Sequence, residues 1–224
     1  SENYGLPLGE TISLGIHESQ SRLWENNVGR SLEFWQHNYE SLKKIFPNQL
    51  TGVTVDDFYK AANNVKPSLI RTNADELTYH LHVIIRYEIE KALIEGEIIV
   101  KDLPKIWNLK YYEYLGLEVP SDTLGVLQDI HWSHGSFGYF PTYTIGSFYA
   151  AQFFNQAKID NPNLIKEIEC GNNKNLLNWL RKNIHNSGKR LDADKLCEKI
   201  TGEKLNFKYF KDYVIDKYSK IYSL

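Results

Sequence analysis

The sequence predicts an all-α protein. Apolar residues recur at helical spacing through most of the chain, and Gly and Pro fall where those stretches should stop; only Glu97-Ile98-Ile99-Val100 reads as extended. That short stretch is expected to be a very short strand or an extended link. No repeat, low-complexity tract or long linker divides the chain, so residues 1–224 are expected to form a single helical region.

Gly5, Pro7 and Gly9 resist helix, so a long helix is expected from Glu10 or Thr11 to near Tyr39, with a break around Gly29. Pro47, Asn48 and Gly52 mark a turn. Thr54-Val55-Asp56-Asp57 then caps a short helix with Phe58, Ala61 and Ala62 facing inward, and Pro67 ends that unit. Asn73 or Asp75 can cap the next helix, in which Leu77, Leu81, Ile84, Ile85, Ile89, Ala92 and Leu93 form an apolar face up to the stop at Gly96. Asp102-Leu103-Pro104 reads as an N-cap with Pro in the first turn of a helix ending at Gly116, whose Trp107, Tyr111, Tyr112 and Tyr114 read as packing.

Asp122 suits the cap of a helix or turn that carries Gln128, Asp129, His131 and Trp132. From Ser133 to Gly146, Gly135, Gly138 and Pro141 stand among four aromatics, which argues for an ordered loop presenting side chains to a cavity. Helical spacing returns at Thr144, passes through Phe148, Ala151, Gln152 and Phe154, and recurs in 164–170, 176–184, 193–200 and 207–222 as scaffold.

With 42% hydrophobic and 24% charged residues, the composition is that of an ordinary globular protein. A formal net charge of -2 leaves no electrostatic footprint for nucleic acid or an anionic membrane, so neither is expected as a partner. No apolar run approaches the roughly 20 residues of a membrane span. Cys170 and Cys197 lack the close spacing of a metal knuckle and read as unpaired thiols, for which the cytoplasm is the expected compartment.

Chemistry gathers first at Gly15-Ile16-His17-Glu18-Ser19-Gln20-Ser21-Arg22-Leu23-Trp24-Glu25-Asn26. With Ile12, Ile16, Leu23 and Val28 on one side of a helix, Glu18, Arg22 and Glu25 share another, as either a solvated ion-pair stripe or the wall of a polar cavity. This segment resembles the His-Glu-Ser-Gln region of the carboxypeptidase Taq family, the thermostable metallocarboxypeptidases of bacteria and archaea. Ile70-Arg71-Thr72-Asn73-Ala74-Asp75 and Gly125-Val126-Leu127-Gln128-Asp129-Ile130-His131-Trp132 resemble two further motifs of that family, in the same order, and the likeness extends through Phe137-Gly138-Tyr139-Phe140-Pro141-Thr142-Tyr143-Thr144.

The resemblance implies metal-dependent removal of C-terminal amino acids from peptides, with zinc or cobalt as the ion and Glu18 as the third protein ligand. It implies Arg71 as the group that recognises the substrate's free carboxylate, a task suited to a planar guanidinium with paired donors. Pairing of Arg71 with Asp75 across one turn is the competing arrangement. His131 has the chemistry to steady a tetrahedral oxyanion or substrate carbonyl, against the alternative of a structural His bonded to Asp129. Tyr143 is carried over as a second donor to the substrate carboxylate. Adjacent to Glu18, His17 points roughly 100 degrees away and belongs to the surroundings rather than the metal.

A departure limits what this chain can do by itself. Zinc peptidases of this kind hold metal with two His four apart around a general-base Glu, and none of the seven His residues forms an H-E-x-x-H motif. His80 and His82, two apart, lie on opposite sides of a helix, and nothing in their spacing favours a new set with Glu18. Members of the family carry the H-E-x-x-H motif a short distance upstream of the His-Glu-Ser-Gln segment. The chain is therefore expected to be the C-terminal portion of the enzyme, in keeping with its start at Ser1 and its lack of Met, and to bind no metal and be inactive without the N-terminal half. Expected partners are a peptide C-terminus, that half and a second copy in a homodimer. A non-catalytic helical peptide-binding module derived from the enzyme is the alternative.

Overall fold

The computed structural model describes residues 5–224. Among them every regular element is helical and none is a strand. Among the described residues no helix is long and apolar enough to cross a membrane. The backbone groups into two units, one made of residues up to Ala62 together with Ile145–Leu224, the other of Asn63–Thr144.

In the first unit, α1 (Leu14–Arg22) begins where Ser13 accepts a hydrogen bond from the Ile16 amide, because extended backbone at Ser13 holds the chain out of helix until then. The long helix expected from the sequence is therefore three pieces. α1 passes into a π-helical segment, Leu23–Val28, and α2 (Leu32–Ile45) starts afresh where Ser31 caps the Phe34 amide. Gly29 makes the wide turn: its amide donates to the Trp24 carbonyl, and a Cβ there would lie 3.0 Å from the carbonyl oxygens of both Trp24 and Glu25.

α3 (Val55–Ala62) starts on a reciprocal cap, Thr54 Oγ1 accepting from the Asp57 amide and Asp57 Oδ2 from the Thr54 amide. Ala61 and Ala62 are exposed rather than inward, since the contact that fastens this helix is aromatic, Phe58 against Trp35 at 4.6 Å and Tyr39 at 5.5 Å. α6 (Pro141–Asp160) starts earlier than the sequence suggested. Pro at the first helical position is preorganised for helix, so the expected loop ends at Phe140 and both Tyr143 and Gly146 are helical.

The core of the first unit joins Leu23 and Val28 with Phe153 and Ala157 of α6 and with residues of α7 (Leu164–Glu169), α8 (Lys174–Asn183) and α9 (Ala193–Thr201). Gln152, fully buried, donates to Thr201 Oγ1 and the Lys204 carbonyl and accepts from the Asn206 amide, tying down the chain before α10 (Lys208–Tyr222). Cys170 and Cys197 are free thiols.

The approach of α1 to α6 is set by glycine. A Cβ on Gly146 would sit 2.7 Å from Glu18 Cβ and 3.0 Å from the Glu18 carbonyl carbon. Gly146→Val is expected to lower stability by about 1–3 kcal/mol through overpacking. A urea midpoint within experimental error of the parent would show that the two helices can separate freely.

In the second unit, Asp75 rather than Asn73 prepares α4 (Tyr79–Ile94). Its Oδ1 accepts from the Leu77 and Thr78 amides, while Oδ2 accepts from the Lys66 amide and Thr78 Oγ1. α4 does not have the simple apolar face expected of it. Ile84 is exposed, whereas His82, Arg86 and Glu90, spaced by four, form a buried polar stripe beside Ile85 and Ile89. Glu97-Ile98-Ile99-Val100 pairs with no strand; Ile99 is extended, and a 3-10 turn at Val100–Asp102 leads into α5 (Leu103–Leu115). The Asp102 side chain caps nothing, but Gly116 at φ 68 ends α5 in the left-handed region as the sequence implied. The predicted helix or turn around Gln128 is a pair of 3-10 turns, Asp122–Leu124 and Trp132–His134, with irregular backbone between them.

Candidate functional site

Arg71 opens a 3-10 turn, Arg71–Asn73, and its side chain is only 7% exposed. Its position is fixed from the irregular segment before His131. Gln128 holds that segment in place by donating to the Leu69 and Gly125 carbonyls, and its Oε1 accepts from the Arg71 amide at 2.9 Å and from Arg86 Nη2 at 2.8 Å. Gly125 is needed in the same segment because a Cβ would lie 2.7 Å from Val119 Cγ1 and 3.2 Å from the Ser121 carbonyl oxygen.

Next in sequence, Asp129 takes both arginines. Its Oδ1 accepts from Arg71 Nε at 3.0 Å and Nη2 at 2.6 Å, and its Oδ2 accepts from Arg86 Nε at 2.6 Å. Arg86 is fully buried, with its guanidinium 4.6 Å from the centroid of Trp107, and donates also to the His82 carbonyl. Two guanidinium charges thus share one carboxylate. Burial works against both ionised forms, but the mutual attraction outweighs it: the Asp129 carboxyl titrates below, and Arg71 above, its ordinary value.

The expected alternative partner of Arg71, Asp75, is spent on backbone amides and Thr78, so it neither pairs with nor orients the guanidinium. Arg71 Nη1 instead donates to Tyr79 Oη at 2.8 Å. Tyr143, Phe140 and Tyr79 surround the guanidinium carbon at 5.0, 5.5 and 5.8 Å from their ring centroids.

His131 Nε2 lies 3.0 Å from Tyr143 Oη, and the imidazole packs 4.3 Å from the Phe140 ring. The separation from Asp129 Oδ1 is 4.0 Å, too long for a hydrogen bond, and buried Nδ1 has no hydrogen-bond partner. The structural pairing of His131 with Asp129 is therefore absent. Burial, followed by the charge of Arg71, lowers the pKa of His131 and favours the neutral imidazole.

Tyr111 Oη faces two groups that can only donate, Arg86 Nη2 at 3.3 Å and Gln128 Nε2 at 3.1 Å, so its proton goes to its remaining neighbour, His82 Nδ1, 3.0 Å away. His82 accordingly carries its own proton on Nε2, a buried atom without a partner. Burial and then the Arg86 and Arg71 charges lower its pKa to about 3. Glu90, farther along the stripe, accepts from Trp132 Nε1 at 3.1 Å and from the Gly138 amide, securing the aromatic segment after His131.

The second unit thus brings Arg71, His131 and Tyr143 together, while Glu18 belongs to the first unit. There Glu18 is half-buried and its Oε2 accepts from Ser21 Oγ at 3.0 Å; His17 is exposed, and Arg22 pairs with Glu25 at 2.8 Å. Among the described residues no group of three or more His, Cys, Asp or Glu side chains could hold a metal ion, the set Glu18, His80 and His82 included. His80 Nδ1 is instead 2.9 Å from Thr144 Oγ1. Sequence reading missed Arg86, Tyr79 and Glu90, weighed His82 only as a metal ligand, and took Tyr111 as packing alone. The available signal was three polar residues spaced by four in an otherwise apolar helix, the pattern of a buried polar stripe.

The family model for carboxypeptidase Taq (M32) metallopeptidases matches residues 1–218. The chain is 46% identical to Carboxypeptidase 1 of Bacillus subtilis, over 98% of this chain and 44% of that protein. It is 45% identical to Thermostable carboxypeptidase 1 of Thermus thermophilus, over 99% of this chain and 43% of that protein. The crystal structure of the M32 carboxypeptidase from Deinococcus radiodurans R1 superposes with a TM-score of 0.94 at 44% identity, covering 100% of this chain and 45% of that one. The chain therefore spans less than half the length of the curated relatives it matches.

Proposed function

Because the chain belongs to the carboxypeptidase Taq (M32) metallopeptidase family, we propose that it serves a metal-dependent carboxypeptidase by binding the free carboxylate of a peptide C-terminus at Arg71 and by contributing Glu18 as one metal ligand. The observation that carries this reading is the charge imbalance around Asp129. Two buried guanidinium groups face one buried carboxylate, and the lowered pKa values of His82 and His131 keep their imidazoles from adding charge near neutral pH. An incoming carboxylate neutralises the surplus. Arg71 spends Nε and one hydrogen on each terminal nitrogen on Asp129 and Tyr79, leaving one hydrogen on Nη1 and one on Nη2 for a two-point contact.

In this reading His131 offers a neutral imidazole to the substrate carbonyl. With a proton on Nδ1 it can donate there, while Tyr143 Oη donates to Nε2. Phe140 and Tyr143 exclude water beside Arg71, which strengthens its contact with a carboxylate. A catalytic zinc site needs three protein ligands, and the described residues do not fit that requirement by themselves. In this reading the further ligands come from the region that the relatives carry beyond the matched part.

The test compares an N-blocked dipeptide with its C-terminal amide. The chain is expected to prefer the carboxylate form, and Arg71→Ala to weaken its binding about 10- to 100-fold while leaving the amide almost unaffected. Equal binding of the two by the parent would sink the carboxylate role. Hydrolysis and metal content are then measured for the chain alone and after mixing with the remaining family region. Activity that appears only on mixing and is lost with Glu18→Ala supports the metallopeptidase reading; peptide binding without metal or hydrolysis in either sample supports the binding module.

A further inference from the structure

We infer that Glu90 is a positioning residue for His131, and that two separate clamps hold the site. Gln128 and Asp129 fix Arg71, whereas Glu90 fixes His131 from the segment that follows it. The inference rests on the role proposed above for His131 at the substrate carbonyl.

Glu90 is buried on α4, one turn beyond Arg86, and grips both ends of the segment 133–137. Its Oε2 accepts from Trp132 Nε1 at 3.1 Å and its Oε1 from the Gly138 amide. Among the described residues both carboxylate oxygens are met by N–H groups of this segment and neither by a cation, although a buried carboxylate without a counter-ion is costly. Gly138 stands at φ 78 with nothing within 4 Å of a Cβ, so conformation rather than space requires glycine where Glu90 takes the amide. Within the segment the Ser136 amide donates to the His131 carbonyl at 2.9 Å and the Gly135 amide to the Trp132 carbonyl at 3.2 Å. Those bonds close the turn on itself; Glu90 fastens it to α4.

The imidazole of His131 needs such support. Nε2 meets Tyr143 Oη and Nδ1 has no hydrogen-bond partner, so packing sets much of its orientation. Trp132 stands edge-on to Phe140, ring centroids 6.0 Å apart at 87°, and Phe140 packs 4.3 Å from His131. By holding the Trp132 indole, Glu90 holds Phe140 and through it the imidazole. Arg71 is outside this path, because Gln128 and Asp129 bind it ahead of Trp132.

The test is Glu90→Gln in the full 224-residue chain. A carboxamide can accept from one N–H group but turns its own NH2 toward the other, so one tie is lost at nearly unchanged volume. Affinity for the N-blocked dipeptide is expected to fall about tenfold while the preference for its carboxylate over its amide form is kept. Added to His131→Ala, Glu90→Gln should cause no further loss. Imidazole NMR, with the His131 signal assigned by its absence from His131→Ala, should show a higher pKa in Glu90→Gln, because burial is the main cause of the lowered value and release of the segment relieves it. Loss of the carboxylate charge alone acts in the opposite direction. The other groups facing this imidazole are Arg71, Asp129, His134 and Arg86, with Tyr139 and Tyr143 packed on its ring, and none is altered. Should Glu90→Gln fail to fold, the same measurements on Trp132→Phe, which keeps an aromatic ring and removes the indole N–H, decide. An unchanged or lowered His131 pKa, or an equal loss of affinity with and without His131, overturns the inference. A parent that binds acid and amide equally sinks the Arg71 reading alone, since the imidazole titration still reads the clamp.

Discussion

Asp129→Asn is expected to lower the stability of residues 63–144 by about 3–5 kcal/mol, because it leaves two buried guanidinium charges with no carboxylate between them. Asparagine keeps the size of the side chain and an acceptor oxygen, so the loss reports charge rather than packing. Arg71→Met is the informative comparison. It reduces the cluster to the single pair of Arg86 and Asp129, and its stability cost should be well below that of Asp129→Asn although it abolishes the proposed carboxylate contact. Urea midpoints at unchanged m-value measure both. Equal costs would mean that the cluster is held by packing, and the surplus positive charge invoked for substrate binding would lose its basis.

A second large effect is expected on acidification. His82 is fully buried and its folded pKa is about 3, against about 6.5 for an unfolded histidine. The unfolded chain therefore binds a proton through this window that the folded chain does not. Stability contributed by neutral His82 is present above pH 6.5 and is lost as pH falls toward 3, at up to about 1.4 kcal/mol per pH unit and about 5 kcal/mol in all. Asp129 acts in the same direction lower down, since its depressed pKa stabilises the fold above about 3.8 and that contribution disappears as the carboxylate is protonated.

Comparing the parent with His82→Asn at pH 7, 6, 5 and 4 isolates the first contribution. The variant should be less stable at pH 7, having lost the bond from Tyr111, but should lose less on going to pH 4. Parallel pH profiles would show that His82 is not the group being kept neutral. The same experiment bears on function, because a charged His82 would face Arg86 and strain the support of Arg71.

The helical class and most boundaries could be read because their causes are local. Pro104 at the start of α5, Gly116 at its end and the Thr54 cap of α3 each act within a turn of where they stand. Misreadings came where another segment decides. The first helix was expected to run unbroken to Gly29, but its π-helical segment was not foreseen. Gly146 looked like part of a loop although it is a helical position across which Glu18 passes. Arg71 was legible as a site residue from Ile-Arg-x-x-Ala-Asp, yet its partner was sought one turn away at Asp75, and the partner found is Asp129, 58 residues distant.

By itself the sequence determined the all-α class, the family and the candidates Glu18, Arg71, His131 and Tyr143, since periodicity, caps and motifs are written in neighbouring residues. Only the tertiary structure decided that Arg86 and Asp129 fix Arg71 and that His82 is neutral with its proton on Nε2. Those states follow from burial and from contacts between distant segments. The free energy of a charge or a hydrogen bond depends on what surrounds it, and spacing along the chain does not encode that surrounding.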